Sequence, residues 1–94
     1  METIAVIGLG SMGKRRIRLL KNQLGKKVIG IDNNIERLTE VTEIFHIPCY
    51  SSIELVLNNH NIFAAVVSTS PLAHATIIHT LLDKTIHIYS EIYV

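Results

Sequence analysis

Ile4–Leu20 reads IAVIGLGSMGKRRIRLL: an unbroken apolar run, three glycines, then a burst of positive charge. Thr3–Leu9 is short and β-branched with no polar alternation, the pattern of a parallel strand covered on both faces. Beyond the glycines, Gly13, Ile17, Leu20 and Leu24 recur at helical spacing, with Lys14, Arg15, Arg18 and Lys21 turned elsewhere. Gly25 supplies a stop. The order strand, glycine turn, helix frames the rest of the chain.

Working outward, KVIGID (Lys27–Asp32) reads as a second buried strand. Asn33 with Glu36 marks a helix start, Ile35, Leu38, Val41 and Phe45 form its apolar stripe, and Pro48 ends it. Cys49–Ser51 has room for only a brief strand. Ser51 with Glu54 makes an S-x-x-E capping box for a short helix over 52–57. NIFAAVVSTS (Asn61–Ser70) is another long apolar strand. Ser70-Pro71 pairs an N-cap with proline at the first helical position. Ala75, Ile78, Leu81 and Leu82 give that helix its buried face, and TIHIYSEIYV (Thr85–Val94) closes as a strand. Strict alternation of strand and helix implies parallel strands joined by right-handed crossovers. The expected fold is therefore an α/β, Rossmann-type doubly wound sheet of about five strands in the order 3-2-1-4-5, with helices on both faces.

Gly8-Leu9-Gly10-Ser11-Met12-Gly13 is a G-x-G-x-x-G, and each glycine has its own reason. Gly8 permits the tight turn out of the strand, Gly10 lets a pyrophosphate approach the backbone, and Gly13 allows helix to pack closely on strand. The N–H groups of the first helical turn then face the anion. Asp32 ends the second strand 19 residues beyond Gly13, where a carboxylate can accept both hydroxyls of an adenosine ribose. It would meet the 2′-phosphate of NADP at close range, so NAD is the expected cofactor and NADP the less favoured one; Arg37 offsets that repulsion in part.

Composition bounds the alternatives. Ninety-four residues with 48% apolar content make one small folded domain, and a net charge of +1 argues against a dedicated nucleic-acid binder. Seven of the nine Lys and Arg residues lie between Lys14 and Lys27. Without interleaved aromatics they read as a solvated helix face, with a secondary role in drawing anions. Cys49 is the single cysteine; it suits a reducing cytosol and reads as a small buried hydrophobe. His46, His60, His79 and His87 share no metal-ligand spacing. No secretory leader or membrane span is expected, so the expected location is the cytoplasm.

With these pieces placed, the chain resembles the N-terminal domain of the glucose–fructose oxidoreductase / inositol dehydrogenase / MocA family (Gfo/Idh/MocA). The resemblance rests on IAVIGLGSMGKRR, GIDNNIERL, AAVVSTSPLAHATIIHTLL and HIYSEI, in that order, and covers essentially the whole chain. It implies an NAD(P)-dependent oxidoreductase acting on a sugar or cyclitol alcohol. Gly10, Ser11 and Met12 would wrap the pyrophosphate, Asp32 would hold the adenosine ribose and Arg37 would lie against the adenine. Thr69, Ser70 and Pro71 would line the cofactor's central region with His74 close by, and Glu91 would approach the nicotinamide ribose.

Two departures temper that implication. The family commonly reads E-K-P at the end of the fifth strand, whereas this chain reads Glu91-Ile92-Tyr93, and Ile92 cannot polarise a hydroxyl. The family's substrate site and acid/base histidine lie on a C-terminal domain that is expected to be absent here. The 94 residues are thus expected to hold cofactor without completing hydride transfer. The alternatives are a stand-alone nucleotide-binding or NAD(H)-sensing module, and S-adenosylmethionine as a different ligand on a similar sheet. HIYSEIYV reads as an apolar edge strand, for which pairing with a second copy, a homo-oligomer, is expected.

Overall fold

The computed structural model describes residues 3–59, 61–68 and 86–90. Its elements are β1 (Thr3–Ile7), α1 (Ser11–Ile17), β2 (Lys27–Ile31), α2 (Ile35–Phe45), β3 (Cys49–Tyr50), α3 (Ile53–Asn59), β4 (Ile62–Val67) and β5 (His87–Ser90). A π-helical stretch, Arg18–Gln23, continues α1. The strands form one sheet in the order β3-β2-β1-β4-β5, and every pairing is parallel. The expected architecture is therefore the observed one. The helix expected after Pro71, with Ala75, Ile78, Leu81 and Leu82, lies outside the described residues.

The unbroken apolar runs are explained by two cores, one on each face of the sheet. Alternate residues of β1 part company: Ile4 and Val6 join Leu9, Ile17, Val28, Val41 and Phe45, while Ala5 and Ile7 join Ile29, Ile31, Val56 and Val67. Side chains alternate across a strand, so a strand covered on both faces has no polar positions left. Full burial of each of the larger of these side chains contributes about 1.5–3 kcal/mol. The cores fix the register, Ile7 standing opposite both Ile31 and Val67.

The helix ends depart from the sequence reading. The cap of α2 is Asn34, not Asn33: its side-chain oxygen accepts hydrogen bonds from the N–H groups of Glu36 and Arg37 at 3.0 and 3.3 Å. Asn34 wins because an N-cap oxygen reaches N–H groups two and three residues on. Ile35 consequently starts the helix on its outer side, 76% exposed, and leaves the expected stripe, while Val41 and Phe45 keep it. The helix ends at Phe45, with His46 in the left-handed region at φ 56°, before Pro48 is reached. For α3, Ser52 rather than Ser51 accepts from the chain, through the Leu55 N–H at 3.4 Å.

The first helix also ends differently. The Leu24 N–H donates to the Leu19 carbonyl at 3.1 Å, five residues back, so the winding is wider than in an α-helix. That rotation takes Leu24 off the Gly13–Ile17–Leu20 stripe and leaves it exposed. Gly25 at φ 64° then turns the chain, as expected of a stop.

Candidate functional site

In an open parallel sheet, ligands sit beyond the carboxyl ends of the strands, where the strand order reverses. Here that reversal falls between β1 and β4. Gly8 leaves β1 at this end with φ 96°, a conformation that favours glycine. Its N–H donates to the Ile31 carbonyl, and the Ser68 N–H donates to the Ile7 carbonyl, each at 2.8 Å. The exits of β1, β2 and β4 are thereby tied together. Ser68 is the last described residue before Thr69.

The three glycines of the loop sit in different surroundings. A Cβ on Gly13 would fall far inside contact distance of the Gly8 carbonyl oxygen, so the close approach of α1 to β1 demands glycine there. At Gly10 the backbone is ordinary, φ −74° and ψ −164°, and a Cβ would meet nothing nearer than the Arg37 guanidinium at 4.0 Å. Neither strain nor packing among the described residues calls for glycine at that position. Gly10 is the N-cap residue of α1 and gives it no side-chain cap. Ser11 is exposed, and Met12 is half-buried with Arg15 against its sulfur at 3.7 Å.

Asp32 lies directly behind this loop and is buried. Its Oδ2 accepts from the Leu9 N–H and its Oδ1 from the Asn34 N–H, both at 2.8 Å. Arg37 Nη1 stands 3.5 Å from Oδ2. Gly8, Gly10, Ser11, Met12, Gly13, Asp32 and Arg37 are thus brought to one end of the sheet. Thr69, Ser70, Pro71, His74 and Glu91 lie outside the described residues. Sequence reasoning missed Leu9 and Asn34, whose backbone N–H groups occupy the acid; backbone donors leave no mark in residue type.

Much of the basic cluster has partners within the chain. Lys14 pairs with Glu40, and the Lys21 ammonium donates to the Phe45 carbonyl at the end of α2. Arg18 lies 5.8 Å from the centre of the Phe45 ring. These contacts fasten the first helix to α2, the favoured place for a cation being a helix C-terminus. Cys49 is half-buried rather than fully buried as expected, packed against the core that holds Leu9 and beside Gly30, and burial pushes its thiol pKa up. Among the described residues no group of His, Cys, Asp or Glu could hold a metal ion, and no helix is long and apolar enough to cross a membrane.

Solved structures with this fold include prephenate dehydrogenase from A. aeolicus in complex with hydroxyphenyl propionate and NAD+. It is 18% identical with a TM-score of 0.87 over 100% of this chain and 34% of that one. The WlbA dehydrogenase from Bordetella pertussis, in complex with NADH and UDP-GlcNAcA, is 20% identical with a TM-score of 0.83 over 95% of this chain and 27% of its own. Scyllo-inositol dehydrogenase from Lactobacillus casei, with NAD(H) and scyllo-inositol bound, gives 16%, 0.84, 96% and 27% in the same order. The chain spans between about a quarter and a third of the length of these proteins. None of the curated proteins matches it. Residues 3–91 match the model of the oxidoreductase family with an NAD-binding Rossmann fold, and the chain belongs to that family, Gfo/Idh/MocA.

Proposed function

We propose that these residues hold NAD for an oxidoreductase that moves hydride between the cofactor and a sugar or cyclitol alcohol. The observation that carries this reading is the glycine loop at the strand-order reversal, where neither strain nor a clash among the described residues calls for glycine at Gly10. A pyrophosphate against that backbone supplies the need. When bound, NAD accepts hydride from the substrate carbinol carbon; the chain's own part is orientation and electrostatics.

In this reading Gly8 and Gly13 shape the loop, and the backbone of Gly10, Ser11 and Met12 faces the phosphates. Asp32 accepts from the adenosine ribose, with Arg37 at the adenine. Following the family resemblance, Thr69, Ser70, Pro71 and His74 serve the middle of the cofactor and Glu91 the nicotinamide ribose. Substrate and acid/base groups belong to a further domain of the kind the longer relatives have room for. The protein works in the cytoplasm, and the β5 edge, with Tyr89 exposed, is where a second copy pairs. A module that binds NAD(H) without catalysis is the second reading, favoured by Ile92 where the family commonly has lysine.

Calorimetric titration with NAD and NADP tests the proposal. NAD is expected to bind about tenfold tighter, equivalent to about 1.4 kcal/mol, because a 2′-phosphate meets the Asp32 carboxylate. Failure of both to bind contradicts the cofactor reading, and equal binding removes Asp32 as the source of preference.

A further inference from the structure

Asp32 is engaged by the chain's own groups. Its side chain is only 5% exposed, and its two oxygens face the Leu9 N–H, the Asn34 N–H and the Arg37 guanidinium. A carboxylate has about four lone-pair sites, so most of its accepting capacity is directed inward. An acid present for the ribose alone would face its oxygens outward. Leu9 stands between Gly8 and Gly10, and its side chain is fully buried against β2. A buried N–H that loses its acceptor is costly, so the turn would have to reorient to find another.

We propose that Asp32 is a positioning residue for the phosphate end of the site: by holding the Leu9 N–H it sets the Gly8–Gly10 turn in place. The acid thereby couples the two ends of the cofactor site. Its Oδ2 fixes the glycine loop, and its Oδ1 fixes the entry to α2 through Asn34. This role deepens the cofactor reading and rests on it.

The test compares wild type, Asp32→Ala and Asp32→Asn in the full chain, by amide hydrogen exchange and by binding of ADP and 2′,3′-dideoxy-ADP. The dideoxy probe keeps the phosphates and lacks the diol. In Asp32→Ala, the Leu9 amide should exchange at least about tenfold faster while Ala65 in β4 changes less than about twofold. Affinity for 2′,3′-dideoxy-ADP should fall by about tenfold, and that for ADP further still, because ADP also loses the charge-assisted bonds of its ribose hydroxyls to the acid. Asp32→Asn, which keeps one acceptor oxygen, should fall between, and it carries the comparison if the alanine variant does not fold. Unchanged Leu9 exchange overturns the proposal. So does a loss confined to ADP, which would make the acid a ribose acceptor only. If wild type binds neither nucleotide, the cofactor reading fails and this role fails with it.

Discussion

The inner half of the glycine loop, Gly8 and Gly13, is packed against the chain's own backbone, whereas at Gly10, in the outer half, a β-carbon would meet only the side chain of Arg37, at 4.0 Å. Both halves carry the same residue type within six positions. The inner glycines are required by folding, since one adopts a positive φ and the other leaves no room for a β-carbon. Among the described residues neither strain nor a clash requires the outer glycine, which serves as the N-cap of α1. A glycine motif therefore separates into a part that builds the turn and a part that leaves a space, and only the second part points to a ligand.

The largest effect that sharpens this contrast is expected from Gly13→Ala. The new methyl collides with backbone, which cannot swing away as a side chain would. Stability should fall by about 3 kcal/mol or more, and the melting temperature by more than about 12 °C. A melting temperature within a few degrees of wild type would break the contrast, because the inner half would then tolerate a side chain.

A smaller effect comes from Cys49, whose sulfur lies beside Gly30 and packs against the core that includes Leu9. Burial raises its pKa above the ordinary thiol value, against the lowering effect of hydrogen bonds from Thr42 and Gly30. Below about pH 8 the thiol is protonated in both the folded and the unfolded chain. As pH rises past about 8.5 the unfolded chain ionises first, so it binds fewer protons and folded stability falls. The fall levels off once the folded thiol also ionises. Denaturant melts between pH 7 and 10 should show a steeper loss for wild type than for Cys49→Ala. Parallel profiles would place the thiol outside that packed core.

The sheet was legible because its signal is redundant. Every residue of Thr3–Ile7 is buried, and the two cores take alternate positions, so no local ambiguity could reverse the assignment. Helix ends were less legible because two adjacent residues of the same type compete for the cap. Asn33 and Asn34, like Ser51 and Ser52, differ by one position, and geometry rather than composition chooses between them. Leu24 was misread because periodicity assumes α-helical winding and the π-helical stretch breaks it. In the site, residue types identified Gly8, Gly10, Gly13, Asp32 and Arg37 as neighbours. The inward hydrogen bonds of Asp32 were invisible because their donors are main-chain groups of Leu9 and Asn34.

The central claim is that Gly10 serves the cofactor far more than the fold, and one paired measurement tests it. Gly10→Ala is melted and titrated with NAD alongside wild type. The melting temperature should stay within about 4 °C, equivalent to a change of no more than about 1 kcal/mol, while NAD affinity falls at least about tenfold. Full NAD affinity in the variant, or a melting loss as large as that of Gly13→Ala, would contradict the account.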